Sequence, residues 1–163
     1  MMSEALKRAN SVKGKKKIKK KYYITKSERQ ELKNLGLSDG EIDISNEGEL
    51  QEQCESFLND LGIFFLRIPD TLWANANGRG LSGKKYIVGQ PDIIVLFQDR
   101  FLPIELKVPS RYFEDHKGLE INQVLWFDQR GIEPNIAYSI TQFMDKVREF
   151  IKGVKYDIGT NSE

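Results

Sequence analysis

The chain has 163 residues, of which 39% are apolar and 30% are charged, as expected for one globular domain with charged tails. One cysteine (Cys54) and one histidine (His116) exclude an internal disulfide and a Cys/His zinc site, so any metal must be held by carboxylates. Because no run of apolar residues approaches the roughly 18 that span a membrane, we expect a soluble, intracellular protein with no membrane partner.

The N-terminal segment carries a strong positive charge. Met1–Lys26 contains 10 Lys or Arg residues and 1 acid, a net +9, whereas the remaining 15 basic and 23 acidic residues leave the rest at −8. Such a segment cannot bury apolar area, so residues 1–24 are predicted to form a disordered basic tail. Basic arms often lie along nucleic-acid phosphates, and the alternative is a solubilising tail.

Two segments separate this tail from the main domain, which is predicted over residues 49–152. Thr25–Glu28 has the spacing of a capping box, so residues 25–36 are predicted to contain a short helix that ends at Gly36. Residues 37–48 are acidic and rich in Gly, Asp, Ser and Asn, which predicts a linker. An amphipathic helix then begins at Glu49, with apolar residues at helical spacing: Leu50, Cys54, Phe57, Leu58 and Leu61.

The remaining elements are predicted from apolar periodicity and turn residues. Residues 70–90 form a long, glycine-rich loop, and residues 153–163 form a C-terminal tail. The predicted strands are 63–68, the hairpin 91–97 and 101–107, and 134–139; the predicted helices are 119–130 and 140–152. The fold class is therefore α/β, with a mixed four-stranded sheet flanked by helices and a right-handed crossover.

Charged side chains inside the predicted hairpin need a physical reason, because a central strand is normally apolar. Asp92 opens the first strand, and Glu105 and Lys107 lie on the second. Residues two apart in a strand point to one face, so Glu105 and Lys107 share a face. Asp92 joins that face if the hairpin loop has an even number of residues. Pairing Gln98 with Phe101 meets this condition and sets Asp92 opposite Lys107.

Two carboxylates and a lysine at one end of a sheet are typical of a magnesium site. Neighbouring carboxylates repel each other unless a cation compensates them, and Mg²⁺ takes a few carboxylate oxygens together with waters. A metal held in this way can activate water and stabilise the charge that develops during phosphodiester cleavage. The alternative is a structural Glu/Lys pair at the end of a strand, which the preceding Pro91-Asp92 makes less attractive.

These residues also resemble a known family. Gly89-Gln-Pro-Asp92 followed by Ile104-Glu-Leu-Lys107 is similar to the Pro-Asp…Glu-x-Lys motif of the PD-(D/E)XK nuclease superfamily. Glu49-Leu-Gln51 and Asn122-Gln-Val-Leu-Trp126 resemble the virus-type replication-repair nuclease (VRR-NUC) family within it. The resemblance covers residues 49–152 and implies a restriction-endonuclease-like αβββαβ core.

The resemblance also implies roles for individual residues. Lys107 would position or activate the attacking water, and Gln123 matches a helix glutamine of the family near the active site. Glu52 and Glu55 share the first helix and are alternatives to Glu49 as its acidic residue. The implied ligands for Mg²⁺, or for Mn²⁺ in its place, are Asp92, Glu105, Glu49 and the backbone carbonyl of Leu106.

DNA is the partner that the basic residues and the resemblance both indicate. His116 is expected at the surface, and Trp73 and Trp126 either stack on bases or belong to the core. The expected phosphate contacts, for which ordinary surface solvation is the alternative, are Arg67, Arg79, Lys84, Lys85, Arg111 and Lys117.

The function implied by the resemblance is that of a magnesium-dependent DNA endonuclease selective for junctions, flaps or nicks. It would act in replication, repair or recombination of phage or mobile-element DNA, in the cytoplasm of a bacterium or an infected host. The alternative is an accessory DNA-binding protein whose nuclease fold no longer cuts. A homodimer is a further hypothesis, because small nucleases of this kind often act on two strands as dimers.

Overall fold

The computed structural model describes residues 23–67 and 89–156. The predictions made for residues 1–22, for most of the long loop and for residues 157–163 lie outside the described residues.

The main domain has the predicted order of one helix, three strands, a helix, a strand and a final helix. Its elements are α3 (Glu47–Asp60), β1 (Phe64–Arg67), β2 (Ile93–Phe97), β3 (Arg100–Leu106), α4 (Ile121–Asp128), β4 (Ile136–Ala137) and α5 (Ile140–Tyr156). The strands form one sheet in the order β1-β2-β3-β4, in which β1, β2 and β3 are antiparallel neighbours and β4 is parallel to β3. The prediction of an α/β fold with a mixed four-stranded sheet flanked by helices is therefore confirmed.

One face of this sheet makes the main core. Alternate residues of β2 and β3 point to this face, where α3 and α5 pack on them and exclude water. The strand residues buried here are Ile93, Val95, Ile104 and Leu106, and the helix residues are Leu50, Cys54, Leu58, Phe143 and Val147. The alternate residues of β2 and β3, with Asp92 and Glu105 at their open end, point to the opposite face.

The hairpin between β2 and β3 has a loop of two residues, Gln98 and Asp99, and Phe97 pairs with Arg100. The predicted even loop and the shared face are confirmed, but the pairing of Gln98 with Phe101 is wrong. The turn lies one residue earlier in the chain, and Gln98 adopts a left-handed conformation (φ 56°) at its first position. Continuing the observed register sets Asp92 opposite Glu105 instead of opposite Lys107.

The segment predicted as a linker is folded. Helices α1 (Lys26–Asn34) and α2 (Asp39–Ile42) each begin with a capping box, as predicted for Thr25 and Glu28 and as also found for Ser38 and Glu41. Leu37 and Ile42 are buried in a second apolar cluster with Leu32 and Tyr138. The polar composition of residues 37–48 hid these two anchors, which bury enough apolar area to order the segment.

Several boundaries differ from the predicted ones. The Asn46 side chain accepts a hydrogen bond from the Gly48 N–H, so α3 begins at Glu47, two residues before Glu49. Strand β4 pairs with β3 over two residues only, and α5 continues to Tyr156 instead of ending at residue 152. Among the described residues, no helix is long and apolar enough to cross a membrane.

Candidate active site

Asp92 and Glu105 lie opposite each other at the open end of the β2–β3 hairpin, away from its turn, and on the same face of the sheet. Asp92 immediately precedes β2, and its Oδ2 accepts a hydrogen bond of 2.8 Å from the backbone N–H of Leu106. Glu105 is completely buried, and Lys107 is 6% exposed. Two carboxylates and an ammonium group are therefore held at one place on the second face of the sheet.

The two oxygens of the Glu105 carboxylate have different surroundings. The Lys107 ammonium lies 2.5 Å from Oε1, and the side-chain amide of Gln123 donates a hydrogen bond to the same oxygen. The other oxygen, Oε2, is buried and accepts no hydrogen bond within the part of the chain that the structure describes. A buried carboxylate oxygen without a donor is costly, so a ligand at this oxygen would stabilise the site.

Burial and neighbouring charges shift the pKa of each ionisable group in the site. Burial, followed by the neighbouring charge of Asp92, raises the pKa of Glu105 to about 8, although Lys107 opposes the shift. Burial also raises the pKa of Asp92, against the lowering effect of the Leu106 N–H. For Lys107, burial lowers the pKa, but attraction to Glu105 and the other acids outweighs burial, and the net shift is upward. Lys107 is therefore a cation at neutral pH.

Glu47, Glu49 and Glu52 of α3 are all exposed. Burial is the main cause of the raised pKa of Asp92, and the charge of Glu47 adds to it; the same charge also helps to raise the pKa of Lys107. Two residues of a helix are separated by about 200°, so Glu47 and Glu49 lie on opposite sides of α3. Glu47 lies one turn before Leu50, on the side of α3 that carries Leu50 and Cys54, although its own side chain is exposed. The other alternative, Glu55, pairs with Arg67 instead.

Gln123 reaches Glu105 from the first turn of α4, as expected for the helix glutamine. The N-terminus of α4 packs closely on Gly89, and a Cβ atom at residue 89 would lie 2.1 Å from the backbone oxygen of Asn122. Gly89 also has a φ of 79°, which glycine adopts without strain. The glycine before Pro91-Asp92 is therefore needed for Gln123 to contact the carboxylates.

The three described residues predicted to bind phosphates are engaged within the protein. Arg67 Nε lies 3.2 Å from Glu55 Oε1, and Arg111 Nε lies 2.8 Å from Glu114 Oε2. The Lys117 ammonium lies 3.8 Å from the centre of the Tyr112 ring. These contacts leave the phosphate-binding predictions untested, and Arg79, Lys84 and Lys85 lie outside the described residues.

The predictions for Trp126 and His116 can be compared with the structure, whereas the one for Trp73 cannot. Trp126 is 7% exposed and belongs to the interior, so it cannot stack on bases in this conformation. His116 is exposed, as expected. It lies in a tight turn after β3, where His116 and Lys117 both adopt left-handed conformations. Trp73 lies outside the described residues.

The donor set of this site suits a magnesium ion. Mg²⁺ commonly binds one or two protein carboxylates and completes its shell with waters and substrate phosphates. Asp92 and the unpaired Oε2 of Glu105 supply such carboxylates, although no group of three His, Cys, Asp or Glu side chains arranged to hold a metal occurs among residues 23–67 and 89–156. These residues therefore fit a magnesium site in which waters and substrate phosphates would complete the coordination shell, and they do not fit a site built from protein ligands alone.

Comparison with known proteins returned no match, whether against family models, curated proteins or solved structures.

Proposed function

We propose that this chain is a magnesium-dependent DNA endonuclease of the PD-(D/E)XK type, resembling the VRR-NUC family. The observation that carries the proposal is the state of Glu105. Lys107 and Gln123 contact one of its buried oxygens, while the other has no hydrogen-bond donor among the described residues, and the charge of Asp92 acts on the same carboxyl group. This arrangement leaves a carboxylate edge for a divalent cation.

A purely structural ion pair explains the site less well. Burying charges costs free energy, and one glutamate with one lysine would already balance that pair. Asp92 adds a second carboxyl group, and Glu47 contributes further negative potential, so the fully ionised cluster would have more negative than positive charge, and the raised pKa of Glu105 reflects this excess. A bound divalent cation would remove this excess and would lower the pKa of both carboxylates.

Each side chain has a distinct role in the proposed reaction. A magnesium ion, when bound, supplies a Lewis acid that polarises the scissile phosphate and lowers the pKa of a bound water. Asp92 and Glu105 would hold the ion, with the Leu106 carbonyl as a further ligand. Lys107 remains protonated at neutral pH, so it would orient the attacking hydroxide or stabilise phosphate charge, and it would not act as a base.

Gln123 would act as a positioning residue in this mechanism. Its amide donates to Oε1 of Glu105, while its Oε1 accepts from the backbone N–H of Glu120. This pair of hydrogen bonds holds the Glu105 carboxyl group through Oε1 and leaves Oε2 without a donor among the described residues. A carboxylate already held in the ligand geometry binds a cation without a further loss of side-chain entropy.

A cleavage assay on different forms of DNA tests the proposal. We expect cleavage by the full chain in Mg²⁺ or Mn²⁺ when single-stranded, duplex, flap and four-way-junction DNA are offered, with preference for the branched forms. Asp92→Asn is the matched control, because it removes one negative charge while keeping the shape of the side chain. Binding without cleavage by the parent chain in either metal would favour the accessory DNA-binding protein instead.

The basic N-terminal arm should supply much of the DNA affinity. The rest of the chain is net acidic and repels phosphates, whereas residues 1–22 contain 9 Lys or Arg residues. Deleting residues 1–22 should weaken DNA binding and reduce the slope of log affinity against log salt by about 0.9 for each phosphate that the arm neutralises. Titrations between 50 and 200 mM salt, a range of the kind that resolves such slopes, measure this directly.

The melting temperature separates the two roles of the arm. The deletion should leave the melting temperature within about 2 °C, because an arm that binds phosphates makes no contribution to the core. An unchanged salt slope would reduce the arm to a solubilising tail, and a lowered melting temperature would mean that it packs on the domain.

A further inference from the structure

The face of the sheet that carries Asp92 and Glu105 continues as an exposed apolar surface. In the observed register, Phe64 lies opposite Leu96 and Leu96 lies opposite Phe101, which makes one row across three strands. Leu66, Ile94 and Pro103 form the next row, and Asp92 with Glu105 continues the series. Successive rows are about 6.6 Å apart, because two residues of a strand advance the chain by that distance.

Exposure on this face increases with distance from the carboxylates. Glu105 is fully buried, whereas Phe101, four residues earlier in β3, is 55% exposed. Phe64 is 68% exposed and Leu66 is 47% exposed. Contiguous exposed apolar side chains on a sheet face often mark a contact surface, and we call this one (Phe64, Leu66 and Phe101) the phenylalanine face.

The size of the phenylalanine face argues against a second copy of the chain. Three side chains that are about half exposed offer on the order of 300 Å² of accessible area, since a phenylalanine contributes about 150–250 Å² when fully covered. A stable protein interface needs about 800 Å² on each partner. The surface matches a small, flat, apolar occupant better than it matches a protein.

We propose that the phenylalanine face stacks unpaired nucleobases of the DNA whose backbone reaches Asp92 and Glu105. The inference rests on the proposed nuclease function and names the substrate class of that site. Phe64 and Phe101 are separated by two strand spacings, about 9.6 Å, so each ring can receive a different base. Stacking on exposed sheet aromatics is a general mode of single-strand recognition.

The phenylalanine face and the acidic site lie on the same strands, and this arrangement favours unpaired bases over a duplex. The rows of apolar and acidic residues belong to the same strands, so a nucleotide strand on the face leads directly to the carboxylates. Bases inside a duplex are already stacked and cannot contact these rings without leaving the helix. The phenylalanine face therefore favours single strands, frayed ends or the unpaired nucleotides at a branch.

Binding in EDTA tests stacking separately from cleavage. The probe is a 12-nucleotide single strand carrying 2-aminopurine, whose fluorescence is quenched on stacking, and the comparison is the duplex of the same sequence. Phe64→Ala and Phe101→Ala should each weaken single-strand binding about tenfold and reduce the quenching, while changing duplex binding less than about twofold. These side chains are exposed, so the variants should fold.

Matched substitutions distinguish stacking from general hydrophobicity. Phe101→Tyr keeps the ring and should bind as the parent does, whereas Phe101→Leu keeps an apolar side chain without a ring and should lose affinity. Leu61→Ala changes a side chain that is 55% exposed beyond the end of α3, and it should have no effect. Equal single-strand binding by the Leu variant and the parent would overturn the inference while leaving the nuclease proposal intact.

Two further outcomes would also overturn it. If the parent is a dimer by light scattering and the alanine variants are monomers, the phenylalanine face joins two copies of the chain. If the parent binds neither single-stranded nor duplex DNA, the stacking inference and the proposed function both fail.

Discussion

Asp92→Ala, Glu105→Ala and Lys107→Ala should each reduce DNA cleavage by at least about 10³-fold, because in the proposed mechanism each removes a group that would act on the transition state. The affinity for DNA should change only a few-fold, since metal and water positioning would serve the transition state and most of the binding free energy would come from phosphate contacts elsewhere. Initial rates under saturating DNA in Mg²⁺, together with binding titrations in Ca²⁺, measure the two effects separately. Ca²⁺ should support binding with little cleavage, because its larger and looser shell places the attacking water poorly.

A pair of variants on α3 sharpens this test. Glu47→Ala should lower the cleavage rate, because the charge of Glu47 reaches both Asp92 and Lys107. Glu49→Ala is its matched control, because Glu49 is also exposed but lies on the opposite side of the same helix, and it should cleave as the parent does. The reverse result would make Glu49 the helix glutamate of the site. Parental activity in all of the Asp92, Glu105 and Lys107 variants would exclude this cluster as the active site.

The stability of the metal-free protein should fall as the pH rises from about 4.5 to about 8. Glu105 has an ordinary pKa of 4.5 and a pKa of about 8 in the folded chain, so the unfolded state releases its proton first. The stability is therefore fully present below pH 4.5 and is lost as the pH rises through the folded pKa. We expect a loss of roughly 4 kcal/mol across this window, measured as unfolding in urea with EDTA.

Two controls identify Glu105 as the source of this loss. Glu105→Gln cannot ionise, so its stability should vary much less between pH 5 and pH 8. Mg²⁺ should restore stability to the parent at pH 8, because a cation that binds only the folded state favours folding, and it should stabilise the Gln variant far less. If the free energy of unfolding of the parent chain in EDTA does not change between pH 5 and pH 8, the pKa of Glu105 is not raised in the folded chain and the prediction is wrong.

The shared face of the acidic residues could be predicted from the sequence because it depends only on parity. Any unbulged hairpin with an even loop brings Asp92, Glu105 and Lys107 to one side, whichever residues form the turn. The partner directly opposite Asp92 depends on which residues form the turn. Gln98 carries no strong turn signal, although it adopts a left-handed conformation at the first position of the turn. The prediction therefore failed by one residue on each strand.

The first helix and the N-terminal segment show a different limit. Periodicity located the stripe of α3 through Leu50 and Cys54, but the start of the helix depends on Asn46, whose cap is one weak local interaction. Residues 37–48 read as a linker because their polar composition outweighs Leu37 and Ile42. The burial of these two residues depends on Tyr138, far along the chain, and such long-range partners are not visible in a local pattern.

Gly89 and Gly118 are positions at which homologues of this chain could be recognised. A Cβ atom at Gly89 would lie 2.1 Å from the Asn122 oxygen, and one at Gly118 would lie 2.6 Å from Arg111 Cβ. Both also have positive φ angles, of 79° and 84°. Acidic and basic residues can recur in unrelated sites by convergence, but backbone approaches this close belong to one particular fold. Divergent homologues should therefore retain glycine at both positions, even in lineages that have lost catalytic carboxylates.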